Sequence, residues 1–488
     1  MKLEADAKAP AGVRFARLSA RGLLLGFSAP RVAALGTALV CAALALFAGG
    51  AKAFALSGLL WAPLALAASV RVGGRPAIEW AGTAAHYGAR QAMGQGQSRA
   101  RPSKPRPAGT LGLPGDAASL RLHIDQVSGA AMVHDPHRQT LTVVLGVTHP
   151  AFALLDDADR AGRTGRWGRA LAALAASGSC ACVQVLEATV PDPALGQRAW
   201  WKAHRSEDGG WAAEQYEALV EQVSLGSSTH RSTVSLSLDL RRASRAVRAA
   251  GRGVGARGLA GAAEVLRRDM ASFSESLRLA GLRVVGPLGE AALACIVRDA
   301  FDPAAGLEAG GPGANLAHAG PMAVAESWER LRHDSAWSQV LWVSEWPRIS
   351  VPADFLHPLV FAPGVRRSLS IFARPLPTDA ALRQIRREKT EAVSDGAQKA
   401  RIGQVADLSD AQEYEDLLAR ERSVIAGHTD VEFTGFVTVT APSTEELGNA
   451  VATISRAAAQ ACCELRPVYG RQLQAFVSAA LPLGRSTF

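Results

Sequence analysis

The chain has few aromatic residues and few cysteines, and this scarcity excludes several classes of site. Only 6% of the 488 residues are Phe, Trp or Tyr, and six are cysteine. The cysteines stand singly or in Cys-x-Cys and Cys-Cys pairs, none of which has the CxxC spacing of zinc or redox sites. We therefore predict reduced, mostly buried thiols in a reducing compartment. The six are Cys41, Cys180, Cys182, Cys295, Cys462 and Cys463.

Sequence motifs that hold nucleotides or metals are also missing. No Gly-Lys pair occurs, which excludes a Walker A loop, and neither an HExxH helix nor a GxSxG elbow is present. Gly253, Gly255 and Gly258 have GxGxxG spacing, but an Arg-rich stretch precedes them where the motif requires a buried strand. The sequence therefore predicts that the chain neither binds nor hydrolyses ATP.

Ionisable residues do not assemble into a recognisable catalytic set. His134 and His137 flank a predicted hairpin turn, where solvated histidines are expected rather than metal ligands. The carboxylate pairs at 156–157 and 445–446 stand at predicted helix starts, where acidic residues complement the helix dipole. We predict no catalytic residue, no cofactor and no metal ion.

Two long uncharged runs near the N-terminus predict a pair of membrane-spanning helices. Val32–Gly50 and Ala53–Val70 are each about one bilayer long, since one span takes ~20 residues. Only a short turn separates them, so we expect a transmembrane hairpin over 32–70, kinked at Pro63. A buried core hairpin and a cleaved signal peptide are the other interpretations. Cleavage is disfavoured because the cleavage-like Ala65-Leu66-Ala67 follows a complete first span.

Basic residues on both sides of these runs set the expected orientation. The formal net charge is +9, and much of it flanks the two runs, whereas the turn carries only Lys52. The positive-inside rule then places both termini in the cytoplasm and makes the chain a multi-pass protein of the inner (plasma) membrane. The flanking residues are Lys2, Lys8, Arg14, Arg17, Arg21 and Arg31 upstream, and Arg71, Arg75, Arg90, Arg99, Arg101, Lys104 and Arg106 downstream.

The remaining sequence is too long for one domain of about 100–200 residues, and we predict two. Thr233–Leu240 and Val431–Val439 alternate apolar and polar residues, as strands with one buried face do. Ser443 precedes two glutamates and is expected to be a helix N-cap. The predicted fold is a membrane-anchored α+β protein in which two α/β sandwich domains follow the hairpin. The predicted segments are a basic cytoplasmic segment 1–31, the hairpin 32–70, a basic Gly/Pro-rich connector 71–116, a first domain 117–301, a linker 302–321 and a second domain 322–488.

Two basic clusters remain, one over Arg241–Arg257 and one on a polar helical region. Both are expected to be solvated faces. Contact with phosphates of lipid or DNA is left open, and base stacking has no support because no aromatic residues are interleaved. The second cluster comprises Arg383, Arg386, Arg387 and Lys389.

Several local strings resemble a family of actinobacterial membrane proteins encoded with conjugation and type IV secretion-like machinery. More distantly, the soluble part is similar to the non-motor N-terminal half of type IV secretion ATPases. The hairpin is similar to the small two-helix inner-membrane subunit that partners those ATPases. The strings are Cys295–Pro303, Gly320–Trp328, Trp342–Pro347 and Ala480–Gly484.

This resemblance implies a non-enzymatic scaffold of such a machine. In those ATPases a Phe and a Leu-Pro pair close the N-terminal half before the motor, and here Phe476 and Leu481-Pro482 are followed by no motor. The implied partners are the membrane, a separate P-loop secretion ATPase and other secretion-system subunits, and homo-oligomerisation is left open. We expect 471–488 to dock the ATPase and 481–488 to be dispensable for folding. The alternative is a tail packed on its own domain.

Two further functions are weighed against this one. A type VII secretion translocon component would share two N-terminal helices and a cytoplasmic body. A membrane-tethered enzyme with an unrecognised site would require a polar pocket where ionisable groups converge. The sequence predicts neither the cargo nor the stoichiometry.

Overall fold

The structure is a computed structural model that divides into two units, each described by itself. The body comprises Met1–Ala16, Gln97–Val468 and Gln472–Phe488, and the helical unit comprises Arg17–Gly96 with Tyr469–Arg471. The residues that the structure describes are 15, 27–72, 74–100, 109–149, 152–191, 195–205, 210–224, 228–253, 258–305, 315–401, 408–426 and 429–486.

The helical unit contains one long apolar helix, α1 (Ala29–Ser69). Its most apolar stretch of 18 residues has a mean hydropathy of 2.2, and only 11% of that stretch is buried. Among the described residues it is the one helix long and apolar enough to cross a membrane. The sequence predicts two separate helices over 32–70, whereas the structure has one helix there. Gly50 alone has non-helical dihedrals, with φ 62° and ψ −156°, and Pro63 lies inside the helix.

A short antiparallel pair and a second helix complete the helical unit. β1 (Arg71–Val72) pairs with β2 (Arg75–Pro76), and α2 (Ala77–Ala92) follows. Helix α2 lies within 71–116, which the sequence predicts to be a connector, so that prediction is wrong for these residues. Gly and Arg residues interrupt the apolar spacing that would have indicated a helix. The Pro-rich stretch 101–108 lies outside the described residues.

The body begins with β3 (Gln97–Arg99) and then contains two successive sets of elements. The first set, called the first repeat, is β4 (Arg121–Ile124), β5 (Ala131–Asp135), β6 (Thr140–Thr148), α3 (Asp157–Ser177), β7 (Cys180–Pro191), α4 (Leu195–His204), α5 (Trp211–Ser224), β8 (Ser228–Asp239), α6 (Ser244–Gly253), α7 (Leu259–Leu279), β9 (Arg283–Pro287) and α8 (Glu290–Phe301). A short helix α9 (Leu316–Ala319) follows.

The second set, called the second repeat, has the same order except that the single helix α13 stands where the first repeat has α6 and α7. It is β10 (Ala323–Glu326), β11 (Leu331–His333), β12 (Ala336–Glu345), α10 (His357–Val360), β13 (Arg366–Pro375), α11 (Thr378–Arg401), α12 (Leu408–Ile425), β14 (Val431–Ala441), α13 (Thr444–Gln460), β15 (Glu464–Pro467) and α14 (Gln472–Ala480).

These strands form one antiparallel sheet rather than the two separate sheets expected from the sequence. The order is β3-β10-β11-β12-β14-β13-β7-β8-β6-β5-β4, with β15 beside β12 and β9 beside β6. The predicted linker 302–321 therefore separates two halves of one sheet. The halves join because β7 and β13, each the last strand of its repeat in the sheet order, pair with each other.

The strand registers of the two repeats correspond. Across the β7–β13 seam Val185 pairs with Ile371, Glu187 with Leu369, and Leu186 with Ser370 between them. Farther out, Pro287 of β9 pairs with Leu145, and Pro467 of β15 pairs with Leu341 at the corresponding place. The order of elements and the register agree, so the body is an internal duplication.

Helices cover both faces of the sheet. On one face α8 and α14 share a core in which Phe301 and Phe476 have ring centroids 5.0 Å apart. On the other face α3, α6 and α7 cover the first repeat, and α10 and α13 cover the second. The expected strands at Thr233–Leu240 and Val431–Val439 are confirmed as parts of β8 and β14, except that β8 ends at Asp239, one residue earlier than expected. Ser443 is confirmed as an N-cap, since its side chain accepts a hydrogen bond from the Glu446 N–H.

The C-terminal tail, residues 481–486, packs across the first repeat. Leu481 and Leu483 are 0% and 3% exposed, and Arg485 pairs with Asp135 and Asp116. The expectation that this segment is an open docking surface is therefore wrong. Two leucines beside a proline suggested an exposed tail, but they fill the core beneath α14.

Candidate functional site in the inter-repeat cleft

A polar cleft lies where the two repeats meet, between the sheet and helices α8 and α14. It is a small cleft, and its empty space of about 340 Å³ includes solvent at its open side. We call it the inter-repeat cleft. Its lining residues are Ala188, Thr189, Arg231, Asp299, Ala300, Arg366, Arg367, Ser368, Thr438, Thr440, Phe476 and Ala480.

Two arginines from different repeats meet on one carboxylate in this cleft. Arg231 of β8 donates from Nη2 to Asp299 Oδ2 at 2.9 Å, and Arg366 of β13 donates from Nη2 to Oδ1 at 2.8 Å. Arg366 also donates to the Asp299 carbonyl oxygen at 2.9 Å. Asp299 is 7% exposed, so these charge-assisted bonds fix both guanidinium groups.

One threonine hydroxyl on the sheet side of the cleft lacks a partner. Thr438 is 2% exposed, and its Oγ1 has no hydrogen-bond partner in the part of the chain that the structure describes. Thr189 borders the cleft, but its side chain lies on the opposite face of β7, with Glu187. Buried polar atoms are nearly always satisfied, so the Thr438 hydroxyl is available to a water molecule or a ligand in the cleft. The arrangement supplies hydrogen-bond donors and positive charge. Its lining residues include no His or Cys to act as a base or nucleophile.

The opposite face of the same strands carries a second polar group. Glu187 accepts from Ser232 Oγ and lies 3.1 Å from His230 Nδ1. Burial lowers the pKa of His230, against the opposing effect of Glu187. Arg367 donates to the carbonyl oxygens of Leu359, Ala362 and Val365, and burial lowers its pKa to about 10. These contacts are all made within the body, and they hold the loop around α10 in position.

The candidates weighed from the sequence fall elsewhere. His134 lies in β5 and His137 in the following turn, and burial lowers the pKa of His134. Within the described ranges no three His, Cys, Asp or Glu side chains come together as metal ligands. The stretch before the glycine run is helix α6, and residues 254–257 of that run lie outside the described residues.

Three of the remaining sequence candidates have structural partners. Asp156 caps α3 by accepting from the Asp159 N–H, Arg242 lies 3.4 Å from Asp239, and Lys389 pairs with Glu421. All six cysteines are free thiols. Burial raises the pKa of Cys180 and Cys182 to about 12, so both are protonated at neutral pH.

Sequence reasoning missed the residues of the inter-repeat cleft. Arg231, Asp299 and Arg366 are far apart in the chain and fit no motif spacing. Asp299 did fall within one of the strings that carried the family resemblance, which was the one available signal. Comparison with known proteins adds none, because no model of a known family matches the chain and no curated protein sequence is significantly similar to it.

Proposed function

We propose that this chain is a membrane-anchored, non-enzymatic scaffold of a conjugation or type IV secretion-like machine, and that its body docks a separate P-loop ATPase. The observation that carries the proposal is that an apolar helix is inserted into a large duplicated body. Phe15 and the segment from Gln97 to Val468 belong to the body, and the apolar helix lies between them in the sequence. A body built around a membrane segment is suited to hold other subunits at the bilayer.

Both ends of the inserted segment are held by the second repeat. Phe15 packs in an aromatic socket of Trp346, Phe355 and Phe433, with ring centroids 5.2, 5.3 and 5.3 Å away. Downstream, β3 pairs with β10, with Arg99 opposite Ala323. A segment that begins and ends on one folded body enters and leaves the membrane on the same side, so it crosses an even number of times.

This argument favours the hairpin over a single span. A straight helix of 41 residues would be about 60 Å long, twice the ~30 Å hydrocarbon core. Reversal at Gly50 would fit both halves into one bilayer. It would also bring the buried Ala34 and Ala68, nearly equidistant from Gly50, to similar depth, where small residues allow close helix packing. The basic residues on both flanks then favour a cytoplasmic body by the positive-inside rule.

Cysteine labelling of intact cells tests this topology. Cys462 is the exposed native cysteine of the body and should not react with a membrane-impermeant maleimide. An Ala51→Cys variant in a Cys462→Ser background should react. Labelling of Cys462 in intact cells, with no labelling at position 51, would overturn the orientation.

Photo-crosslinking tests the partner. Trp200 and Trp211 are 56% and 76% exposed on the α4–α5 helical arm and are sound positions for a crosslinking residue. Crosslinks in native membranes, identified by mass spectrometry, should include a P-loop ATPase encoded separately. Phe301, which is fully buried, is the matched control position. If affinity purification and crosslinking recover no ATPase, the scaffold assignment fails.

A further inference from the structure

We propose that the inter-repeat cleft binds a small oxyanion, a phosphate or sulfate group, between Arg231 and Arg366. This site is independent of the scaffold role. Arg231 and Arg366 use Nη2 for Asp299, and in the described residues no contact engages their Nε or Nη1 atoms. Those donors are held in fixed positions without being consumed, as required for bidentate recognition of an oxyanion.

Charge in the cleft favours an anion. Arg231, Arg366 and Asp299 meet there, whereas the side chain of Arg367 extends to the opposite face of the sheet and directs its donors to backbone carbonyls. A single carboxylate shared by two arginines orients them and leaves a net positive site. A neutral water molecule would satisfy a hydroxyl but would leave this charge uncompensated.

The unmet hydroxyl of Thr438 supplies a further ligand. Its Oγ1 has no partner in the described structure, and Ser368, which pairs with Thr438 between β13 and β14, lines the cleft beside it. A tetrahedral oxyanion has several acceptor oxygens, so it can accept from hydroxyls on the sheet and from guanidinium groups together. Phe476 and Ala480 close the opposite side and limit the ligand to a small group.

Binding of inorganic phosphate to the full chain in a neutral detergent tests the proposal. Calorimetry should detect saturable binding, and sulfate should compete. Thr438→Val keeps the side-chain volume, removes the hydroxyl and should weaken binding about tenfold, the loss expected for one hydrogen bond to a charged group. Arg366→Lys keeps the charge, loses the planar fork and should weaken binding by at least as much. Thr229→Val, at an exposed position of β8, is the matched control and should bind as the parent chain does.

The outcomes separate the alternatives. Loss of binding in Thr438→Val with unchanged circular dichroism supports the site. No phosphate binding at ten millimolar, or equal binding by the parent and both site variants, overturns it. Vesicles containing phosphatidic acid distinguish the source of the group. Competition by the vesicles assigns a lipid headgroup, and binding of free phosphate without such competition assigns a soluble phosphate.

Discussion

Removal of the C-terminal tail should unfold the body, because residues 481–486 complete its core. Leu481 and Leu483 are almost fully buried, and truncating a buried leucine to alanine typically costs about 2–5 kcal/mol. The tail also satisfies Gln184, which donates to the Leu481 carbonyl and accepts from the Gly484 N–H. Stranding such a buried amide adds about 1–3 kcal/mol. The sum exceeds about 5 kcal/mol, comparable to the whole stability of many domains.

The assay is urea unfolding of the detergent-solubilised chain, followed by circular dichroism. A chain ending at Ala480 should be largely unfolded or aggregated without denaturant. Leu481→Ala should lose about 2–5 kcal/mol, whereas Leu279→Ala, at a position 65% exposed, should lose less than about 0.5 kcal/mol. Parent-like unfolding of the truncated chain would refute this account of the tail and restore it as a free docking segment.

Three further outcomes are expected. Gly484 has φ 62°, and a Cβ there would collide with Ser237 Oγ. Gly484→Ala should therefore cost about 1–3 kcal/mol more stability than Gly364→Ala, where φ is 68° and the space around a Cβ is open. Equal unfolding midpoints of the two variants would contradict this. Burial lowers the pKa of His333 to about 4, below the usual 6.5. Between these two pH values the unfolded state binds more protons than the folded state, so the free energy of unfolding should fall as the pH drops from 6.5 to 4. The slope is at most about 1.4 kcal/mol per pH unit, and an His333→Asn variant with the same pH dependence would exclude His333 as the cause. Phe15→Ala should lower the free energy of unfolding by at least about 1 kcal/mol, because it removes a ring that packs against three aromatic side chains. Val393→Ala, at a position 61% exposed on α11, should change it by less than about 0.5 kcal/mol, and equal effects of the two substitutions would argue against the socket.

Local sequence patterns predict most of the helices and strands. The features that they do not predict depend on contacts between residues far apart in the chain. The alternation in Thr233–Leu240 fixed a strand, but not that both faces would be buried. Ser235 and Ser237 looked solvent-facing, yet Ser235 donates to the Pro482 carbonyl under the C-terminal tail. A hydroxyl is tolerated there because a chain segment far away supplies its acceptor.

The candidate cleft shows the same limit. Each arginine taken alone fits a solvated basic surface, and only the β7–β13 seam brings Arg231 and Arg366 to one carboxylate. No residue in the sequence marks that seam. The two strands that form it, β7 and β13, alternate like other strands of the sheet. The sequence of one strand alone does not specify which strand it pairs with or in which register. The single sheet and its internal symmetry were therefore beyond prediction from one sequence.

The β7–β13 seam has the geometry of two identical subunits joined edge to edge, which is an isologous dimer contact. A homodimer must meet both partners with one sequence, so every mutation acts twice. Once two such copies are fused in one chain, each can vary alone. The helical arms inserted at equivalent positions have diverged in this way, with 10 and 14 residues in α4 and α5 against 24 and 18 in α11 and α12. Divergence of the two repeats thus gives a symmetric framework two unlike helical arms, and each arm presents a different surface.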